Sequence, residues 1–207
     1  IDTASKKTLN ESEETTHFSI VDQYGNGVAV TTTLNTNYGS KVFVNDGGFL
    51  LNNEMDDFSI KPGTPNTYGL IGSEANKIEA GKRMLSSMTP TILEKNNELF
   101  LVLGTPGGST IITSVFQTIL NTTLFKMNIK AAVDAPRFHH QWKPNKIYME
   151  EDLYQSSKEL IKKLNEIGHI IQPRTNIGHV NAIMRKQYKL SIGADKRGDN
   201  DGKLIKH

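Results

Sequence analysis

The sequence predicts an α+β protein in which helices pack on antiparallel sheets. Three observations lead there. Two pairs of strand-like segments are each joined by turn residues, at Tyr24-Gly25-Asn26-Gly27 and at Asn96-Asn97. Leu99 to Leu103 form a continuous apolar run of the kind found in strands covered on both faces. Directly after the glycine-rich turn Thr105–Ser109, apolar residues recur at helical spacing.

Taken in order, residues 1–14 (IDTASKKTLNESEE) are polar and read as an exposed tail. Alternation in His17–Asp22 and the β-branched run Val28–Leu34 predict a first hairpin beginning almost at Thr15. Residues 36–48 and 59–82 are rich in Gly, Asn, Pro and Ser, and are expected to be ordered loops. Pro90–Lys95 and Leu99–Gly104 make a second hairpin. The next helix carries Ile111, Ile112, Val115, Phe116, Ile119 and Leu120 on its apolar side, with Ser109 as its expected N-cap. A short helix near 128–134 ends before Pro136. Another, from about Ser156 to Glu166, is expected to point Leu160, Ile161, Leu164 and Ile167 inward and to stop at Gly168. Strands near 179–185 and 188–193 close the chain around a turn at Lys186-Gln187.

Composition narrows the function classes. The 207 residues hold 24 Lys plus Arg against 22 Asp plus Glu, no Cys and 36% hydrophobic residues, as one globular domain would. Without cysteine there is no disulfide, thiolate nucleophile or Cys-ligated zinc. A net charge of +2 does not point to nucleic acid. Residues 1–136 carry 10 basic and 14 acidic side chains, residues 137–207 carry 14 and 8. The scattered basic residues of the second part lack interleaved aromatics and suit a solvated face or an acidic partner subunit better than a phosphate track. No apolar stretch approaches the ~20 residues of a membrane span. The chain opens with neither an initiator Met nor a secretion signal, so processing is expected at its start.

Several segments carry residues suited to chemistry. At Thr15-Thr16 the polar tail meets the first strand. Cleavage after Glu14 would make Thr15 a chain terminus, whose α-amine, with a reference pKa of about 7.7–8.0, is a base beside its own hydroxyl. Otherwise the two threonines are ordinary strand residues. Asn52-Asn53-Glu54-Met55-Asp56-Asp57 gathers acceptors that fit an ammonium group, a hard cation or solvent, but not the spacing of a calcium loop. Ser86-Ser87 offers two hydroxyl donors for a carboxylate, or forms a plain turn. The turn Gly104-Thr105-Pro106-Gly107-Gly108-Ser109 can converge backbone N–H groups on an anion, though the full phosphate-loop pattern is absent. His139 and His140 are neighbours on an extended segment, face opposite ways and suit packing better than a shared metal. His17 is expected to share the face of Thr15 in a structural role.

Singly these signals are weak; in order they are specific. T-T-H-F-S, T-x-N (Thr33, Asn35), L-L-N-N-E-M-D-D-F-S, K-R-M-L-S-S-M-T-P-T, G-T-P-G-G-S and A-P-R-F-H-H-Q-W resemble the small, catalytic subunit of the γ-glutamyltransferases, which are N-terminal-nucleophile hydrolases. The resemblance runs from Thr15 to about Arg197.

It implies a four-layer αββα sandwich completed by a large subunit. Residues 1–14 would then belong to the end of that large subunit or to an uncleaved precursor, and 15–207 to the small subunit. The resemblance assigns the nucleophile to Thr15, its hydrogen-bonding neighbour to Thr33 and the oxyanion hole to Gly107 and Gly108. Asn35, Glu54 and Asp57 would hold the α-amino group of the glutamyl substrate, and Ser86 and Ser87 its α-carboxylate together with an arginine from the large subunit. The segment Pro62–Asn76 resembles a lid with Tyr68 as its gating aromatic. No cofactor or metal is implied. The expected donors are glutathione or other γ-glutamyl compounds, the acceptors water, an amino acid or a peptide, and the expected location periplasmic or secreted, with any signal peptide preceding these residues. Alternatives are a poly-γ-glutamate hydrolase or transpeptidase, an amide acylase of the same superfamily, or a non-catalytic binding protein on the same scaffold. Departures from the usual pattern stand at Met84, Thr110 and Ala194-Asp195-Lys196-Arg197.

Overall fold

A computed structural model describes residues 15–66 and 69–205. The tail 1–14 and Tyr68 lie outside the described residues. Strands β1 (Thr15–Val21) and β2 (Gly27–Thr33) form the first hairpin, with Thr15 opposite Thr33 and His17 opposite Thr31. Short strands β3 (Phe43–Val44) and β4 (Phe49–Leu50) follow in the first loop region. The second hairpin is β5 (Thr91–Lys95) and β6 (Glu98–Gly104), turning through Asn96 and Asn97 in the left-handed region. Asn tolerates that region and matches strand twist there, which is why the pair marks the hairpin in the sequence.

After β6 come helices α1 (Ile111–Thr123) and α2 (Ile129–Asp134), then β7 (Phe138–His139), β8 (Ile147–Glu150), α3 (Glu151–Ser156), α4 (Lys158–Glu166) and β9 (Ile171–Arg174). Strands β10 (Asn181–Lys186) and β11 (Lys189–Ala194) end the fold. The central sheet has the order β11-β10-β6-β5 and is antiparallel throughout.

Strand β6 explains the layering. Leu101 and Leu103 point to one face, where they meet Val115 of α1 and Ile129 and Val133 of α2, together with Val180, Ala182 and Met184. Val102 points to the other face, against Gly27 of the first hairpin. The molecule is therefore α+β, with helices on one side of the central sheet and the β1–β2 hairpin on the other. The continuous apolar run is covered on both faces, as expected. Outward on the hairpin, Phe18, Ile20 and Val28 are exposed.

The structure corrects several local expectations. Ser109 is not the N-cap of α1. A 3-10 turn at Gly108–Thr110 precedes the helix, and Thr110 takes the cap position without a side-chain cap bond. In α1, Ile112 and Phe116 are exposed while Ser114, Thr118 and Thr122 are buried. The hydroxyls of Thr118 and Thr122 satisfy themselves on the carbonyls of Ser114 and Thr118, four residues back. In α4 only Ile161 is buried; Leu160 and Ile167 are exposed. The last hairpin turns through Gln187 and Tyr188, one residue later than expected. A sheet of order β7-β8-β9, with β8 and β9 parallel, was not anticipated.

Candidate active site

The geometry begins at the first hairpin. Thr15 is 8% exposed, and its hydroxyl donates to Thr33 Oγ1 at 3.1 Å, a contact set by the cross-strand register. Thr33 Oγ1 also accepts the Asn35 N–H at 2.9 Å. Just past the strand end, Asn35 is buried and adopts a left-handed φ of 76°, which turns the chain away from the sheet. Its side-chain amide donates to the Asn53 carbonyl at 3.3 Å.

Asn53 leads into a 3-10 turn at Glu54–Asp57. That turn brings the Glu54 and Asp57 carboxyl groups close enough to affect each other's charge. Burial, then the neighbouring Asp57, pushes Glu54 up to about 7, and burial likewise raises Asp57. Glu54 Oε1 is buried with no hydrogen-bond partner. Two neighbouring buried carboxyl groups, one with an unpartnered oxygen, have the chemistry to accept a cationic hydrogen-bond donor.

Asn76 extends the chain of contacts. Its side-chain amide donates to the Asp57 carbonyl at 2.7 Å, and its side-chain oxygen accepts the Leu85 N–H at 2.9 Å. Leu85 leads into the serine pair. Ser86 Oγ accepts the Met88 N–H, and Ser87 Oγ donates to the Gly108 carbonyl at 3.2 Å. The sequence singled out neither Asn76 nor this link, because amide-to-backbone contacts leave no spacing pattern.

Gly107 and Gly108 lie where β6 hands over to α1, with φ of 128° and 53°. Both conformations favour glycine. A Cβ on Gly107 would sit 2.7 Å from Thr110 Oγ1, so the back of the turn is tightly filled. Thr15 and Pro106 line one cleft of about 430 Å³ together with Thr16, His179 and Asn200. Contacts thus lead from Thr15 through Thr33 and Asn35 to the turn of Glu54 and Asp57, and through Asn76 to Ser86, Ser87 and Gly108, with Gly107 next in the chain. Of these residues Thr15 alone lines that cleft, and Tyr68 lies outside the described residues.

The loop over the acids is ordered where described. Gly63 N–H donates to Gly72 O, Asn66 N–H to Leu70 O, and the Asn66 amide reaches the Asp56 carbonyl at 3.4 Å. The loop is thereby seated on the 3-10 turn.

The histidines behave as structural groups. His17 is buried, 2.8 Å from Thr31 Oγ1 and 3.0 Å from Ser19 Oγ, and burial lowers it to about 4, so its ring is neutral at neutral pH. His139 is buried against Thr113 and Gln141, whereas His140 faces out beside Asn145. Among the described residues no three His, Asp or Glu side chains converge as metal ligands would, and no helix is long and apolar enough to cross a membrane.

Comparison with known proteins places this geometry. The γ-glutamyltranspeptidase family profile matches residues 2–205. The glutathione hydrolase proenzyme of Escherichia coli (strain K12) is 47% identical over 174 residues, 84% of this chain and 30% of that protein. The glutathione hydrolase proenzyme of Pseudomonas aeruginosa is 44% identical over 197 residues, 95% of this chain and 35% of that protein. The chain thus spans about a third of the length of these curated relatives. A crystal structure of γ-glutamyltranspeptidase from Pseudomonas nitroreducens complexed with L-DON superposes with a TM-score of 0.84 at 46% identity, covering 92% of this chain and all of that one. With the match extending along nearly the whole sequence and fold, the chain belongs to the γ-glutamyltranspeptidase family.

Proposed function

We propose that this chain is the nucleophile-bearing subunit of an enzyme that transfers γ-glutamyl groups from glutathione or related γ-glutamyl compounds to water, an amino acid or a peptide. The observation that carries the reading is the continuous path from the Thr15 hydroxyl, through Thr33 and Asn35, to the Glu54–Asp57 pair. A nucleophile and a receptor for an α-ammonium group are thereby fixed to one another.

The chemistry follows from the positions. Self-cleavage after Glu14 frees the Thr15 α-amine. That amine takes the hydroxyl proton, directly or through a water, as Thr15 Oγ1 attacks the γ-carbonyl carbon. The N–H groups of Gly107 and Gly108 stabilise the oxyanion, each donor contributing about 2.7–4 kcal/mol in comparable sites. Collapse of the tetrahedral intermediate breaks the C–N bond, the leaving amine receives the proton, and a γ-glutamyl ester remains on Thr15. Water or an acceptor amine then attacks that ester and gives its proton to the same α-amine, which passes it to Thr15 Oγ1 as the ester C–O bond breaks and the product leaves. Asn35, Glu54 and Asp57 hold the α-ammonium; Ser86 and Ser87, with an arginine of the large subunit, hold the α-carboxylate.

The exposed apolar face of Phe18, Ile20 and Val28 suits burial against that subunit. Residues 1–14 are assigned to its end or to the uncleaved precursor, and the location to the periplasm or cell exterior, on family grounds. The loop closed by Gly63 and Gly72 over the acids favours small donors over a polymer.

Thr15→Ala in the full precursor is expected to abolish both turnover of glutathione and self-cleavage, read by product release and by N-terminal sequencing. A mature chain starting at residue 15, or residual turnover well above background, would remove Thr15 from the role.

A further inference from the structure

The glycine turn is held from behind by hydroxyl groups, one for each successive carbonyl. Thr105 Oγ1 donates to Pro106 O at 2.6 Å, Thr110 Oγ1 to Gly107 O at 2.7 Å, and Ser87 Oγ to Gly108 O at 3.2 Å. Gly107 O also accepts the Thr110 N–H at 3.0 Å. A trans peptide is planar with its C=O and N–H pointing in opposite directions. Fixing Pro106 O therefore aims the Gly107 N–H, and fixing Gly107 O aims the Gly108 N–H.

Glycine supplies no side chain to hold these two peptides, and its freedom of φ leaves them the softest units of the turn. Thr110 is fully buried, so its hydroxyl has no water to compete for it.

We infer that Thr110 is a positioning residue for the transfer reaction: its buried hydroxyl, bound to Gly107 O, sets the direction in which the Gly108 N–H meets the developing oxyanion. The inference rests on the assignment of Gly107 and Gly108 as oxyanion donors. Thr110 touches no substrate. It acts on the transition state by keeping a donor aligned before the charge appears, the arrangement in which such donors contribute most.

The test is Thr110→Val, close in shape but without the hydroxyl, compared with Thr110→Ser in the matured enzyme assembled with its large subunit. Thr110→Val is expected to lower kcat by about 10- to 100-fold, short of the loss of a whole donor. The KM for the γ-glutamyl donor should stay within about twofold, since ground-state recognition lies elsewhere. Thr110→Ser should restore kcat. Where Thr110→Val does not accumulate, Thr110→Ala makes the same cut. An unchanged kcat, a parallel rise in KM, or a serine variant as impaired as valine would overturn the inference.

A boronic-acid analogue of the γ-glutamyl group, which becomes tetrahedral on a hydroxyl, separates the two layers of the reading. If wild-type enzyme binds it no better than free glutamate, the oxyanion assignment itself fails. If wild type prefers it and Thr110→Val keeps the full preference, the assignment stands and the role given to Thr110 fails.

Discussion

Glu54 shows how one residue's surroundings set its charge, and, under the proposed function, its binding preference. Its carboxyl is raised to about 7 by burial and by Asp57, and one of its oxygens has no partner. With no cation present the pair retains a proton; an α-ammonium group favours release of that proton and binds more tightly once it has gone. Because the raised pKa belongs to acids, raising the pH from about 6 to 8 increases the charged form and strengthens ammonium binding, while lowering it weakens binding. The KM of a γ-glutamyl donor is accordingly expected to fall across that interval. Glu54→Gln should raise KM and flatten the slope. A slope equally steep in the variant would place the titration elsewhere.

At the scale of elements, the seat of the strand that carries Thr15 is the contact between His17 and Gly104. A Cβ at Gly104 would come within 2.3 Å of the His17 ring, so β1 lies directly on β6 with only a hydrogen between. Gly104→Ala is expected to cost about 1–3 kcal/mol by overpacking. Combining it with His17→Ala should cost less than the sum of the two single changes, because the side chain in the way has been removed. Thermal unfolding of the four proteins measures this, and strict additivity would show that the two residues do not meet. Such contacts were not legible in the sequence, which does not say which face of β1 meets which residue of β6. What was legible came from local patterning: the Asn96-Asn97 turn, the alternation around His17 and the apolar run in β6. The β7-β8-β9 sheet escaped because β7 has two residues and β8 and β9 four each, too few to show a period, and because the β8–β9 pairing is parallel across two helices. The candidate site residues came from ordered motifs; the Asn76 link and the hydroxyl contact of Thr110 to Gly107 emerged only once the chain was folded around them.

The whole molecule is tied together by a buried ionic group that joins distant parts of the chain. Arg197 binds Glu150 through two 2.6 Å contacts and Asp195 at 2.9 Å; Arg137 meets Asp195 at 2.8 Å and the Ile177 carbonyl at 2.8 Å. Glu150 also accepts the N–H groups of Arg137 and Ile177. The end of β8, the segment after α2, the segment around Ile177 and the residues that follow β11 are thereby held at one point. Arg137→Met leaves buried Asp195 with only one of its two cations, and breaking such a pair costs about 3–5 kcal/mol. For a protein of this size that corresponds to a fall in Tm on the order of 10 °C. A change of under about 2 °C would mean that the network contributes no net stability.

Asn76 carries a consequence of another kind. The Asn76 amide joins the Asp57 carbonyl to Leu85, the Asn76 carbonyl takes the Ser59 N–H, and the intervening segment closes on itself where Gly63 meets Gly72. Apart from Asn66, which ties the segment to the Asp56 carbonyl, residues 64–71 can therefore be exchanged without altering the separation of acids and hydroxyls beneath. Under the proposed function, breadth of substrate choice and grip on the glutamyl end become independent variables, open to separate change by evolution or by an engineer.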